Sequence, residues 1–169
     1  MKILQTGDWH LGKLVHGIHM TEDQRHILKQ LISFIEEENP DVLIITGDIY
    51  DRSIPPVEAV ELLDETLTRI VVDLKVKVII IAGNHDSPDR LAFGSTLLEK
   101  QGLFIVGSLQ TFIEPIIIMD DYGEVAFYPI PYSEPVMAKH IFGDDGIANH
   151  DDAMKSVLSR IKGAMDPLK

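Results

Sequence analysis

The stretch Val42-Leu43-Ile44-Ile45-Thr46-Gly47-Asp48-Ile49-Tyr50-Asp51 sets the architecture of this chain. Consecutive apolar residues, most of them β-branched, run into a glycine and a carboxylate. This is the pattern of a strand buried on both faces that ends in a sharp polar turn. The same pattern occurs twice more, where Ile3-Leu4 runs into Gly7-Asp8 and where Val78-Ile79-Ile80-Ile81 runs into Gly83-Asn84. Between these runs lie two segments of helical period. The first begins at Thr21, with Gln24 three residues on in a capping-box pattern. It carries Ile27, Leu28, Leu31, Ile32 and Ile35 on one face until Asn39-Pro40 stops it. The second opens at Pro55-Pro56 and repeats Val60, Leu63, Leu67, Ile70 and Leu74. Asp8 and Asp48 are 40 residues apart, and Asp48 and Asn84 are 36 apart. Both spacings suit strand-helix-strand crossovers in an α/β fold. Such crossovers bring the carboxyl ends of parallel strands to one sheet edge, so Asp8, Asp48 and Asn84 are predicted to converge.

Beyond Asn84, the sequence predicts a helix from Ser87-Pro88 to about Gln101, stopped by Gly102. Strands follow at Phe104 to Val106, Phe112 to Met119 and Val125 to Ile130, the last two joined as a hairpin through Asp120-Asp121-Tyr122-Gly123. Pro129 to Pro135 reads as a loop. A final amphipathic helix carries Met154, Val157, Leu158, Ile161 and Met165. No repeat, linker or low-complexity tract interrupts the 169 residues. That length is enough for one domain to bury a full core.

Composition excludes several classes. A hydrophobic fraction of 45% and a mean hydropathy of +0.08 are too apolar for a disordered chain, and 25% charged residues rule out a membrane bundle. No apolar run approaches a membrane span, and Gln5, Thr6 and Asp8 cut off any signal-peptide core. The absence of cysteine excludes a disulfide scaffold, a zinc ribbon and a thiol nucleophile, and it fits a cytoplasmic protein. The net charge of −12 argues, by itself, against a nucleic-acid backbone as partner. The excess is mostly distal, with eight acids against the single base Lys139 between Asp120 and Asp152. That stretch reads as a solvated acidic surface.

The three strand ends carry the candidate chemistry. Asp8 and His10 stand at i and i+2, which on extended chain project to the same side and can grip one cation. Asp48 and Asp51 add carboxylates, Asn84 an amide oxygen, and His85 an imidazole. Oxygen and nitrogen donors without sulfur suit manganese, iron or zinc. One Asp after a strand is ordinarily a turn former. Polar clusters arriving together at one edge would repel one another without a cation.

Asp8-x-His10, Gly47-Asp48-x-x-Asp51 and Gly83-Asn84-His85-Asp86 resemble, in order and spacing, the first three motifs of the calcineurin-like metallophosphoesterases. The wording around them, Asp8-Trp9-His10-Leu11-Gly12-Lys13, Asp51-Arg52-Ser53-Ile54-Pro55-Pro56 and Ser87-Pro88-Asp89-Arg90, is similar to the SbcD-type nuclease subunits within that family. The resemblance implies a β-sandwich flanked by helices with the site at the strand ends. It also implies two divalent ions, most often Mn2+. Asp8 and His10 would hold the first ion, Asp48 would bridge both, and Asn84 would hold the second. His85 would protonate the leaving oxygen, Asp86 would orient its ring, Asp51 would support the loop from behind, and Arg52 and Arg90 would contact phosphate. For the two arginines a surface ion pair fits equally well.

The family's distal Gly-His and Gly-His-x-His motifs have no counterpart, since none of the 12 glycines precedes a histidine. The expectation is therefore that residues 1–169 form the N-terminal, incomplete portion of a nuclease domain whose C-terminal part is missing. His140 and His150 read as surface histidines in polar loops, His16 and His19 as loop residues, and His26 as part of a helix start. Gln5 and Gly7 are milder departures from the family pattern. The resemblance implies a metal-dependent DNA exonuclease and endonuclease in break or hairpin processing, partnered by DNA and an SbcC-type ATPase and forming a homodimer. A small-molecule phosphatase of the same superfamily, or a binding fragment without catalysis, are the alternatives.

Overall fold

The computed structural model describes residues 1–110 and 114–165. In chain order its elements are β1 (Ile3–Thr6), a short hairpin of β2 (Leu14–Val15) and β3 (Ile18–His19), α1 (Thr21–Glu38), β4 (Val42–Thr46) and α2 (Val57–Thr68). There follow a π-helical turn (Arg69–Asp73), β5 (Lys77–Ile81), α3 (Pro88–Leu91), α4 (Ser95–Leu98), a 3-10 turn (Glu99–Gln101) and β6 (Leu103–Val106). A second hairpin of β7 (Ile116–Asp120) and β8 (Gly123–Phe127), then α5 (Pro135–Phe142) and α6 (His150–Met165), complete the described chain.

The central sheet is parallel, in the order β1-β4-β5-β6. Its β-branched runs alternate between two buried faces. Leu43, Ile45, Val78, Ile80 and Leu103 point into one core with Leu28 and Ile35 of α1, and Leu62, Leu63 and Leu67 of α2. Val42 and Ile79 point the other way, onto Ile118 of the β7–β8 hairpin, with Ile44 and Phe104 packed alongside. Each such side chain contributes about 1.5–3 kcal/mol on burial. Helices thus cover one face of the sheet and a two-stranded hairpin the other, which gives the expected sandwich its second layer among the described residues. A third cluster joins α5 and α6 through Ala138, Ala153, Val157 and Ile161.

The structure departs from the sequence expectations at several places. The helix predicted from Ser87 to Gln101 is broken, because Gly94 takes φ +75° between α3 and α4. Pro135 does not close a loop but opens α5, where its fixed φ and missing N–H suit the first helical turn. His140 therefore lies on α5 and His150 at the start of α6, rather than in loops. His16 and His19 belong to the β2–β3 hairpin. The strand predicted from Phe112 starts at Ile116, and Phe112 lies outside the described residues. The hairpin turn is as predicted, with Asp120 Oδ1 accepting the N–H groups of Tyr122 at 2.8 Å and Gly123 at 3.1 Å. No described helix is long and apolar enough to cross a membrane.

Candidate metal centre

The loops after β1, β4 and β5 meet at one sheet edge, held together mainly by backbone. Asp8 N–H donates to the Gly47 carbonyl at 3.1 Å, His10 N–H to that of Asp48 at 2.9 Å, and Leu11 N–H to that of Ile49 at 2.9 Å. A parallel bridge between Leu11 and Tyr50 continues the β1–β4 pairing beyond the loops. The loops approach so closely that two positions tolerate only glycine. A Cβ on Gly47, whose φ is +84°, would lie 2.7 Å from the Gly83 Cα, and a Cβ on Gly83 would lie 2.1 Å from Asp48 Oδ1.

The residues expected to bind metal hold strained backbone. Asp8, His10 and Asp48 all have positive φ, at 55°, 46° and 50°, a region uncommon for residues other than glycine. This corrects the picture of Asp8 and His10 side by side on extended chain. They are brought together by left-handed turns, stabilised by the cross-loop hydrogen bonds.

The result is a ring of acids around one imidazole. His10 Nε2 lies 3.8 Å from Asp48 Oδ2 and 4.0 Å from Asp8 Oδ1, and Nδ1 lies 3.5 Å from Asp51 Oδ1. Nδ1 is buried and has no hydrogen-bond partner, an arrangement that ordinarily costs about 1–3 kcal/mol. Two donor atoms each about 2.0–2.2 Å from one ion can be at most about 4.4 Å apart. The Nε2 distances are thus too long for hydrogen bonds and short enough for a shared cation. One ligand atom each from Asp8, His10 and Asp48 lies within 4.8 Å of the others, and the same is true of His10, Asp51 and His85. The donor set therefore fits a hard or borderline divalent ion. Asp51 Oδ1 stands 3.5 Å beyond Nδ1 of His10, on the side of the ring away from Asp8 and Asp48, without a hydrogen bond to it. Asp48 is nearly buried at 8% exposure, whereas the Asp8 side chain is open to solvent.

His85 is exposed and packs edge-on against His10, with ring centroids 4.8 Å apart. Its backbone N–H donates to Asp48 Oδ1 at 3.0 Å, and its Nδ1 lies 3.0 Å from the Asp51 carbonyl oxygen. A carbonyl only accepts, so this contact puts the proton on Nδ1 and leaves Nε2 to exchange protons. Asp86 does not make the contact with the His85 ring that the resemblance implies. Its buried carboxylate accepts three backbone N–H groups, from Gly83 at 2.9 Å, Tyr50 at 3.0 Å and Ile49 at 3.2 Å, and so stitches the β5 loop to the β4 loop. Burial, and then the charges of Asp86 and Asp64, push the neighbouring Tyr50 hydroxyl up to about 12.

Asn84 is exposed at the mouth of a cleft of about 280 Å³ that it shares with Tyr132, Ser133 and Glu134. The Tyr132 N–H anchors that segment to the Ala82 carbonyl at 2.9 Å. The Arg52 side chain is largely free, 4.0 Å from Asp51, whereas Arg90 uses one Nη1–H on the Ser53 carbonyl at 3.0 Å. Lys13, to which sequence reasoning gives no role, brings Nζ within 3.8 Å of Asp51 Oδ1. Its place five residues beyond Asp8, within the Asp8–Lys13 motif, is the signal that could have found it.

A family model described as calcineurin-like phosphoesterase matches residues 1–153. The chain is 37% identical over 166 residues to the SbcD subunit of the SbcCD nuclease from Staphylococcus epidermidis, a match covering 98% of this chain and 43% of that protein. It is 37% identical over 169 residues to the corresponding SbcCD nuclease subunit of Staphylococcus saprophyticus, covering 100% of this chain and 44% of that protein. The chain thus spans less than half the length of these relatives. With a family match over most of its residues, and a parallel sheet whose strand ends gather Asp8, His10, Asp48 and His85, the chain belongs to the calcineurin-like phosphoesterases.

Proposed function

We propose that these loops form the metal-binding part of a nuclease centre that hydrolyses phosphodiester bonds of DNA, with Mn2+ as the working ion. The observation that carries this reading is the imidazole of His10, which has three carboxylates within 4.0 Å and no hydrogen bond to any of them. The likeness to the SbcD subunits supplies the substrate class. Asp8 and His10 would hold one ion, Asp48 would be shared, and Asn84 would serve a second. Bound divalent ions would activate a water for in-line attack and offset the charge that develops on the phosphoryl oxygens.

The chain's own groups do the rest. With its Nδ1 proton engaged by the Asp51 carbonyl, the His85 ring is fixed with Nε2 free, so that Nε2 takes up a proton from solvent and the resulting imidazolium passes it to the leaving oxygen. Asp86 keeps that loop in place through its backbone contacts. Lys13, Arg52 and the unused donors of Arg90 form the local positive charge for phosphate, which a chain of net charge −12 needs close to its acids. An SbcC-type ATPase and a second copy of the chain are the proposed partners.

The test is Mn2+-dependent cleavage of linear DNA by the protein as it is expressed in the cell, compared with His85→Gln. We expect the variant to keep Mn2+ binding and to lose about 10²-fold or more in cleavage, the usual range for general acid catalysis. Equal cleavage by both proteins overturns the role of His85. Rapid hydrolysis of phosphate monoesters with DNA left intact replaces the nuclease reading with a small-molecule phosphatase.

A further inference from the structure

Gln24 has the spacing of half a capping box with Thr21, and the structure uses it differently. The residue that caps α1 is Met20, and no side chain bonds to the helix start. The Gln24 carboxamide turns away from the helix into the loop after β1. Its Nε2 donates to the carbonyls of Trp9 at 3.1 Å and His10 at 2.6 Å, and its Oε1 accepts the Gly12 N–H at 3.1 Å. One partly buried side chain therefore binds three backbone groups within four consecutive residues.

Those residues belong to the segment with the least ordinary backbone in the site, where Asp8, His10 and Gly12 take φ of 55°, 46° and 83°. Their N–H groups at Asp8, His10 and Leu11 are already used on the β4 loop. The carbonyls of Trp9 and His10 accept from Gln24 on α1, and that of His10 also takes the Lys13 N–H at 3.2 Å. Without Gln24 the loop would lose its three side-chain ties to α1, and Asp8 and His10, held in a backbone region that residues other than glycine rarely adopt, could relax. Relaxation would turn Asp8 and His10 out of reach of Asp48.

We propose that Gln24 is a positioning residue for the metal centre, its carboxamide clamping the Asp8–Gly12 loop in the backbone conformation that aims Asp8 and His10 at a shared ion. The inference rests on the metal-centre reading above. A positioning partner behind metal ligands typically controls affinity by about 10–100-fold.

The experiment is calorimetric titration of the whole chain with Mn2+, beside unfolding measured without metal. Gln24→Met keeps the length and packing of the side chain but makes none of the three bonds. Gln24→Glu keeps an acceptor for Gly12 and sets a carboxylate against the Trp9 and His10 carbonyls. Gln30→Met is a control on the exposed side of the same helix, where Gln30 pairs with His26. We expect both Gln24 variants to bind Mn2+ about 10-fold or more weakly while remaining folded, with Gln30→Met unchanged. A Gln24 variant that loses metal-free stability but binds Mn2+ like the parent shows a purely structural role and overturns the proposal. Should Gln24→Met fail to fold, Gln24→Glu decides by the same criterion. Absence of Mn2+ binding by the parent chain would instead overturn the metal-centre reading itself.

Discussion

Replacing Asp86 separates two roles for one carboxylate. If Asp86 acts by orienting His85, its loss would reduce catalysis and leave the fold intact. The structure instead shows its oxygens on the N–H groups of Gly83, Tyr50 and Ile49 at 2.9, 3.0 and 3.2 Å, with the residue only 6% exposed. Asp86→Ala strands three donors. Ile49 is fully buried and cannot recruit water, while Tyr50 and Gly83 are half-buried and can do so in part. At about 1–3 kcal/mol per unpaired buried group, the sum after partial rehydration is about 3–5 kcal/mol. Asp86→Asn can place its oxygen where Oδ2 stood and keep Ile49 and Gly83, but its NH2 then opposes the Tyr50 N–H, a loss of about 1.5–3 kcal/mol. With a urea slope near 2 kcal/mol per molar, the alanine variant should unfold about 1.5–2.5 M earlier than the parent, with the asparagine variant in between. Unfolding is followed by circular dichroism without added metal, so that lost ion binding does not contribute. An Asp86→Ala midpoint within about 0.3 M of the parent, a difference of about 0.6 kcal/mol, would refute the stitching role.

Other perturbations test neighbouring steps. Gly83→Ala sets a methyl 2.1 Å from Asp48 Oδ1 and 2.3 Å from its backbone nitrogen. It should cost about 1–3 kcal/mol and displace Asp48, and undiminished stability together with undiminished Mn2+ binding would contradict that crowding. Asp120 is held below its ordinary value of 3.8 by the Tyr122 N–H first and then by the Met1 amino group, which lies 3.1 Å away. A depressed carboxylate contributes stability that is present above its unfolded value and lost as the pH falls through its folded value. Asp120→Asn should therefore destabilise the chain at neutral pH, and the difference should narrow at acid pH, as the carboxylate takes up its proton. A gap of equal size at the two pH values would show that the ionised carboxylate contributes nothing.

What the sequence made legible was the frame. Apolar runs ending in Gly-Asp or Gly-Asn fixed the three parallel strands and the edge where their loops meet, because a doubly buried strand leaves a continuous hydrophobic signature. Val42 to Asp51 carried that signature most clearly. Side-chain assignments within the loops were harder to read. Thr21-x-x-Gln24 has the letters of a capping box, but a carboxamide bonds wherever the best-placed groups lie, and here they lie on Trp9, His10 and Gly12. The positive φ of Asp8, His10 and Asp48 has no compositional mark, since tertiary hydrogen bonds hold it. Asp86 illustrates the same limit, because adjacency to His85 in sequence does not determine which way its carboxylate turns. Pro135 misled for a different reason, as a proline that follows a loop can equally be the first residue of a helix.

The metal centre stands or falls on whether three strand-end loops assemble a divalent-cation site with Asp48 in the middle. Calorimetric titration of the parent chain and of Asp48→Asn with Mn2+ decides this. Saturable Mn2+ binding is expected of the parent, with a loss in the variant of at least about 10–100-fold, the range found even for residues that only support ligands. Binding of equal strength and stoichiometry by the two proteins would contradict a shared role for Asp48 and, with it, the site as described.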